Sequence, residues 1–228
     1  MNKPTAVKVW DLPVRIFHWL LTIGIAAAWY TADEGDMQIH AMIGKSLLSL
    51  IVFRLLWGLY GSETARFPHF LRGPKAVAAH FRALASRNYR PVPGHNPAGG
   101  WMVALMLAAI AVQALMGLFG KDDIGLFYGP LAGFVSDSMS ETVAGWHHDW
   151  FNVILALIAL HVLAVFLYRI VKKEHLIGAM ITGRKPLPAS PEATPRLASP
   201  WLGLMLALIS FGLVWGLITL LNALALYL

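Results

Sequence analysis

Five stretches of this chain are apolar for long enough to cross a lipid bilayer. A hydrocarbon core of about 30 Å takes about 20 helical residues. The runs at residues 14–32, 40–60, 100–120, 147–168 and 201–228 approach or reach that length. Inside hydrocarbon every backbone N–H and C=O needs an internal partner, so such runs fold as helices. The first run carries Arg15 at its start, the second carries Lys45 and Arg54, and the third and fifth carry no charge. The second is the weakest span on hydropathy, and its lysine is placed to snorkel. Only 13% of the residues are charged and 57% are hydrophobic. A soluble domain carries about 25% charge, so this chain has too little polar surface to cover a water-soluble globule. The expected fold is an all-α membrane protein: a four-helix transmembrane bundle in residues 1–182, a flexible Pro-, Ala- and Ser-rich linker at 183–200, and an accessory fifth transmembrane helix at 201–228.

Charge alternates between the connecting segments. Lys3, Lys8 and Arg15 sit at the N-terminus; Arg66, Arg72, Lys75, Arg82, Arg87 and Arg90 lie between the second and third runs; Arg169, Lys172, Lys173, Arg184, Lys185 and Arg196 follow the fourth. The two remaining segments are acidic. Asp33, Glu34 and Asp36 follow the first run, and Asp122, Asp123, Asp137, Glu141 and Asp149 lie around the third-to-fourth connection, with Lys121 as the one basic residue there. The positive-inside rule then places the N-terminus in the cytoplasm of a bacterial inner membrane protein, and five spans place the C-terminus in the periplasm. Trp10, Trp19, Trp29, Trp57, Trp101, Trp146, Trp150 and Trp201 fall near span ends, as interfacial aromatic belts would require.

The formal charge of +6 does not mark a nucleic-acid binder, because the basic residues are dealt out among membrane connections rather than gathered on one face. The absence of cysteine removes disulfides, thiolate zinc, iron–sulfur clusters and covalent haem attachment. The first run is read as a retained span, not a cleaved signal peptide, because it is long for an h-region and Trp10–Asp11 precede it.

Ionisable residues inside a bilayer mark function by default. Four histidines, His18, His40, His147 and His161, fall within the spans or at their ends, whereas His69, His80, His95 and His175 lie in cytoplasmic segments and are expected to be solvated. His147 and His161 are 14 residues apart (161 − 147). At about 100° per residue they share a helix face, about 21 Å apart in height. His148 points about 140° away from that of His161, so His147 is the better partner for it. Topology supplies the rest. His147 and His40 both open helices that start on the outer side, and His161 and His18 both lie toward the cytoplasmic side. The four form two pairs, one per leaflet.

Two imidazoles facing each other across a bundle suit a six-coordinate haem iron with both axial positions filled, and such a haem moves electrons. Gly24, Ala41 and Gly44 are small enough to let a macrocycle approach the backbone. Two pairs some 21 Å apart do not make a single zinc or copper site. A histidine hydrogen-bonded to a neighbouring helix is the competing reading for each one taken alone. Arg15 and Arg54 are candidate partners for the propionates of the inner haem, with a topology charge as the alternative for Arg15. Gly44-Lys45-Ser46 is not a phosphate loop, because Ile39 stands where its first glycine would be. The chain has no H-E-x-x-H motif and no broken-helix repeat.

The stretches VKVWDLPVRIFHWLL (7–21), RLLWGLYGSETARFPHFLRGP (54–74), GHNPAGGWMV (94–103) and WHHDWFNVILALIALHV (146–162) together resemble bacterial cytochrome b561 and the related b-type cytochrome subunits of nickel–iron hydrogenases, over residues 7 to 182. The resemblance implies a four-helix bundle with two non-covalent b haems, His18 and His161 on the cytoplasmic one, His40 and His147 on the outer one. It implies a quinone substrate and a periplasmic partner, a c-type cytochrome or an oxidoreductase subunit. It leaves the fifth helix unexplained. Two other functions stay open at this point: a superoxide:quinone oxidoreductase, which the acidic outer side disfavours, and a haem-free membrane anchor.

Overall fold

The computed structural model describes residues 5–86, 89–122, 125–187 and 194–225. Its elements, in chain order, are β1 (Thr5–Lys8), α1 (Leu12–Asp33), α2 (Met37–Tyr60), α3 (Phe67–Phe70), α4 (Pro74–Ala85), α5 (Pro97–Gly117), α6 (Asp137–Val171), α7 (Leu176–Thr182), β2 (Arg184–Leu187) and α8 (Pro200–Ala225). Among them α1, α2, α5, α6 and α8 are long and apolar enough to cross a membrane. The helical membrane fold expected from the apolar runs is the one observed, with the short strands β1 and β2 as an addition to it.

The starts of the long helices are written locally. Each is preceded by a short polar side chain that accepts a free N–H of the first turn. Asp11 takes the Val14 N–H at 2.7 Å, Asp36 that of Ile39 at 3.1 Å, Asn96 that of Gly99 at 2.8 Å, Ser136 that of Met139 at 3.3 Å and Ser199 that of Trp201 at 3.3 Å. The turn from α1 to α2 is short because Gly35 adopts φ 75°, a left-handed conformation that favours glycine. The Ser136 cap starts α6 ten residues before the expected boundary at 147. At 35 residues this helix is about 52 Å long, well beyond the hydrocarbon thickness of about 30 Å.

The chain divides into two compact units. The first comprises Met1–Ile16, Arg54–Leu105 and Leu157–Leu204. In it β1 pairs antiparallel with β2, from Thr5↔Leu187 to Lys8↔Arg184. The Val9 and Trp10 N–H groups donate to the Gly183 carbonyl at 2.9 and 3.1 Å, and Thr64 donates to the Val9 carbonyl at 2.7 Å. Part of the expected flexible linker is therefore ordered. Residues 184–187 are a strand because they find an edge to pair with. The Arg196 N–H donates to Glu63 and the Ala198 N–H to Ser62. Trp10 and Trp57 depart from the aromatic-belt expectation. They are buried at 6% and 0% exposure, and the Trp57 indole donates to Asp11 at 3.1 Å. Asp11 thus caps α1 with one oxygen and ties α2 with the other.

The second unit comprises Phe17–Phe53, Met106–Ala156 and Met205–Leu228. Leu118, Leu131, Val214 and Ile218 form its buried cluster, flanked by Leu48, Val52, Phe119 and Leu221. Two of the four buried residues come from α8. The fifth helix is a core element here, and in the first unit a Cβ on Gly203 would meet Pro13 at 2.6 Å. Large side chains such as Ile23, Leu155, Leu208 and Leu220 stay exposed, as lipid-facing residues do.

Candidate functional site

His40 lies in the first turn of α2 and His147 in α6, both in the second unit. Their ring centroids are 6.0 Å apart and the ring planes meet at 82°. His40 Nδ1 is 2.8 Å from the Ala28 carbonyl, and His147 Nδ1 is 2.9 Å from the Gln113 carbonyl. A carbonyl only accepts, so each Nδ1 carries the hydrogen, and in the neutral ring that leaves the lone pair on Nε2. Anchoring one ring nitrogen on a carbonyl is how a metal-ligating histidine has its orientation and tautomer set. With a metal–nitrogen bond of about 2 Å on each side, two axial imidazoles put their ring centres about 6 Å apart, the spacing found here. His40 and His147 could hold a haem iron between them.

The face of α5 that meets α6 explains why His147 stands where it does. Gln113 is used twice: its carbonyl accepts from the imidazole, and its side chain donates to the His147 carbonyl at 3.0 Å. One turn earlier on α5, the Ala109 carbonyl accepts from the Trp150 indole at 2.9 Å. One turn later, Gly117 leaves room for the ring, since a Cβ there would stand 3.1 Å from His147 Cε1 and 3.4 Å from Nδ1. On α2, Gly44 follows His40 by one turn, and a Cβ there would meet nothing within 4 Å, so that face has space for a flat group. Gly24 serves differently from the expectation. A Cβ on it would be 2.7 Å from Leu47, so its smallness lets α1 approach α2. His148 is exposed, which agrees with the preference for His147 taken from helical angle.

His18 lies on α1 in the second unit and His161 on α6 in the first; both are half-buried. Arg15 donates from Nε to the Met180 carbonyl at 3.3 Å and from Nη2 to the Ile181 carbonyl, where it satisfies carbonyls left free at the end of α7. Arg54 is 2% exposed. It donates to the Ala65 carbonyl at 3.0 Å and lies over Phe67 and Phe70 at 5.0 and 5.8 Å. Its Nη1 is buried without a partner among the described residues.

Two of the histidines expected to be solvated are not. His95 sits between Trp10 and Phe70, at centroid distances of 4.6 and 4.8 Å. His80 is hydrogen-bonded to the Tyr168 hydroxyl at 2.6 Å. Burial pulls the His80 imidazole below its usual value, with Glu174 acting the other way. Nearby, Glu174 and Lys185 form a buried ion pair at 2.5 Å. Tyr89 donates to the same carboxylate, and burial together with Glu174 pushes its phenol well up. Gln113 and Gly117 carry no charge and so give no ionisable signal inside a span, and Trp150, expected in an aromatic belt, instead donates to the Ala109 carbonyl. Gln113, the one amide in an otherwise apolar run, was the available clue.

Residues 9–183 match the family model of prokaryotic cytochrome b561. The chain belongs to the prokaryotic cytochrome b561 family. It is a b-type cytochrome, and the group implied by that membership is haem b. Two relatives carry the name probable Ni/Fe-hydrogenase B-type cytochrome subunit. The one from Bradyrhizobium diazoefficiens is 24% identical over 217 residues, covering 81% of this chain and 87% of the relative. The one from Azotobacter chroococcum mcd 1 is 26% identical over 223 residues, covering 80% and 90%. No solved structure matches the chain. The cytochrome b561 match ends at residue 183, before α8.

Proposed function

We infer that this b561-family protein is a dihaem cytochrome that carries electrons through the bacterial inner membrane, between the quinone pool and a periplasmic redox partner. The observation that carries the reading is the His40–His147 pair, 6.0 Å between ring centres with both Nδ1 atoms anchored on carbonyls. When bound there, haem b supplies a one-electron carrier with no open site for oxygen. The chain supplies two imidazole nitrogens held in register, a face cleared by Gly44 and Gly117, and an apolar surround. A second haem on His18 and His161 rests on the sequence alone: the 14-residue spacing from His147 and the family resemblance. Arg15 and Arg54 are assigned to its propionates on the same footing, and the unpartnered Nη1 of Arg54 leaves a donor for one.

The acidic connections belong to the periplasmic side and the basic ones to the cytoplasm, so the N-terminus is cytoplasmic and the C-terminus periplasmic. The names of the two relatives point to an oxidoreductase such as a Ni/Fe hydrogenase as the partner; a c-type cytochrome is the alternative. The test is haem quantification with reduced-minus-oxidised spectra on wild type and on His18→Ala, His40→Ala, His147→Ala, His161→Ala and His148→Ala. Two haems are expected in wild type and in His148→Ala, and one in each of the others, with His40→Ala and His147→Ala losing the same spectral component. A colourless wild type, or loss in His148→Ala but not in His147→Ala, overturns the assignment.

A further inference from the structure

The second unit, which holds His40 and His147, contains two lysines, Lys45 and Lys121, and no arginine. Lys121 stands beyond the end of α5 and is paired with Glu141 at 2.9 Å. Lys45 is different. It lies eight residues into α2, about 12 Å along the helix from its start, and among the described residues it forms no ion pair. Its Nζ stands 4.3 Å from the centre of the Trp215 ring on α8. An ammonium over an indole face is held by the ring quadrupole, and the attraction grows as water is removed. The indole N–H of Trp215 is buried and makes no hydrogen bond among the described residues, so the ring face is what Trp215 offers its surroundings. Val214 beside it and Ile218 one turn on belong to the buried cluster of the unit.

Lys45 follows His40 by five residues, about 7.5 Å along the helix and about 140° around it, so its side chain leaves α2 on the side where it meets Trp215 of α8. A positive charge held at a fixed place in the same unit favours an added electron and would raise the reduction potential of an iron held by that histidine, since its attraction falls only as the inverse of distance. The carboxylates of this unit that come closest in sequence to the two ligands, Asp33, Glu34, Asp36, Glu141 and Asp149, are all exposed, where water and salt screen them.

We propose that Lys45, pinned by Trp215, sets the reduction potential of the haem bound between His40 and His147, and that α8 is thereby a working part of the electron carrier. The proposal rests on the haem assignment above. It gives a role to the one span that the b561 family match does not include.

The test is redox potentiometry on full-length protein, followed on the spectral component that His147→Ala removes. Lys45→Met is expected to lower the midpoint of that component and leave the other unmoved, with both haems still bound. Lys45→Arg keeps the cation and should keep the wild-type midpoint. Trp215→Leu frees the ammonium to move toward water and should lower the same midpoint by a smaller amount, whereas Trp215→Phe, which retains a ring face, should lower it less than leucine. The decisive variant is Lys45→Met/Trp215→Leu: its midpoint should equal that of Lys45→Met alone, because Trp215 acts through the cation. An unmoved midpoint in Lys45→Met with both haems present, or additive shifts in the double variant, overturns the proposal while leaving the haem assignment standing. A wild type with no haem at this pair overturns both.

Discussion

Replacing Gly117 gives a graded probe of the His40–His147 centre without touching a ligand. The Cβ of alanine at this position would lie 3.1 Å from His147 Cε1. An ordinary carbon–carbon contact is about 3.5–4.0 Å, so the ring must yield by about 0.4 Å or more. A ligand constellation has to be held to within about 0.5 Å, so alanine takes up most of that tolerance. Displacing the ring also strains the 2.9 Å bond from His147 Nδ1 to the Gln113 carbonyl, and loss of such outer-shell support lowers metal affinity about 10- to 100-fold. Gly117→Ala should therefore bind both haems but release the one at this pair more readily during dilution or competition with apo-myoglobin. Gly117→Leu, whose side chain fills the space the ring occupies, should lose that haem and show the same residual spectrum as His147→Ala. A Gly117→Leu protein that carries two haems with the wild-type spectrum would refute the placement of the cofactor against this face.

Two further outcomes concern the first unit. Lys185→Met leaves Glu174 as a buried, uncompensated charge, since both side chains of the pair are 5% exposed; it should cost about 3–5 kcal/mol of stability, seen as a lower unfolding temperature in detergent, and adding Glu174→Met should restore most of the loss. For His80, whose value burial holds below the usual 6.5, the folded protein binds fewer protons than the unfolded chain between the two values. The stability from this neutral imidazole is full above about 6.5 and is lost as pH falls through the folded value. Thermal unfolding followed against pH should show that acid-side loss, and His80→Gln should flatten it; an unchanged slope in the variant would remove His80 from the account.

The spans were legible in the sequence because hydrocarbon imposes a single local rule on them. Residues 14–32 became Leu12–Asp33 and residues 40–60 became Met37–Tyr60, with differences set by where Asp11 and Asp36 could cap a first turn. The fourth span departed from expectation at its N-terminal end for the same reason. Its helix begins at Asp137, in polar sequence that a hydropathy argument counts as loop, because Ser136 caps it and Ser140 donates to the Phe119 carbonyl. Choosing His147 over His148 needed only the helical angle, and the choice agrees with a ring that meets His40 and a neighbour left exposed.

Span length and the bilayer's intolerance of free backbone groups determined the number of spans, helical angle and span order pointed to His40 and His147 as a pair, and the family was legible in the four stretches that resemble cytochrome b561. What lay beyond local spacing was decided by folding. The carbonyls that orient the two imidazoles belong to Ala28 and Gln113, and the ring that pins Lys45 lies 170 residues away in the chain. A backbone carbonyl looks the same in every residue, and a packed ring face has no pattern of its own. Such partners exist only once helices that are distant in sequence have been brought side by side.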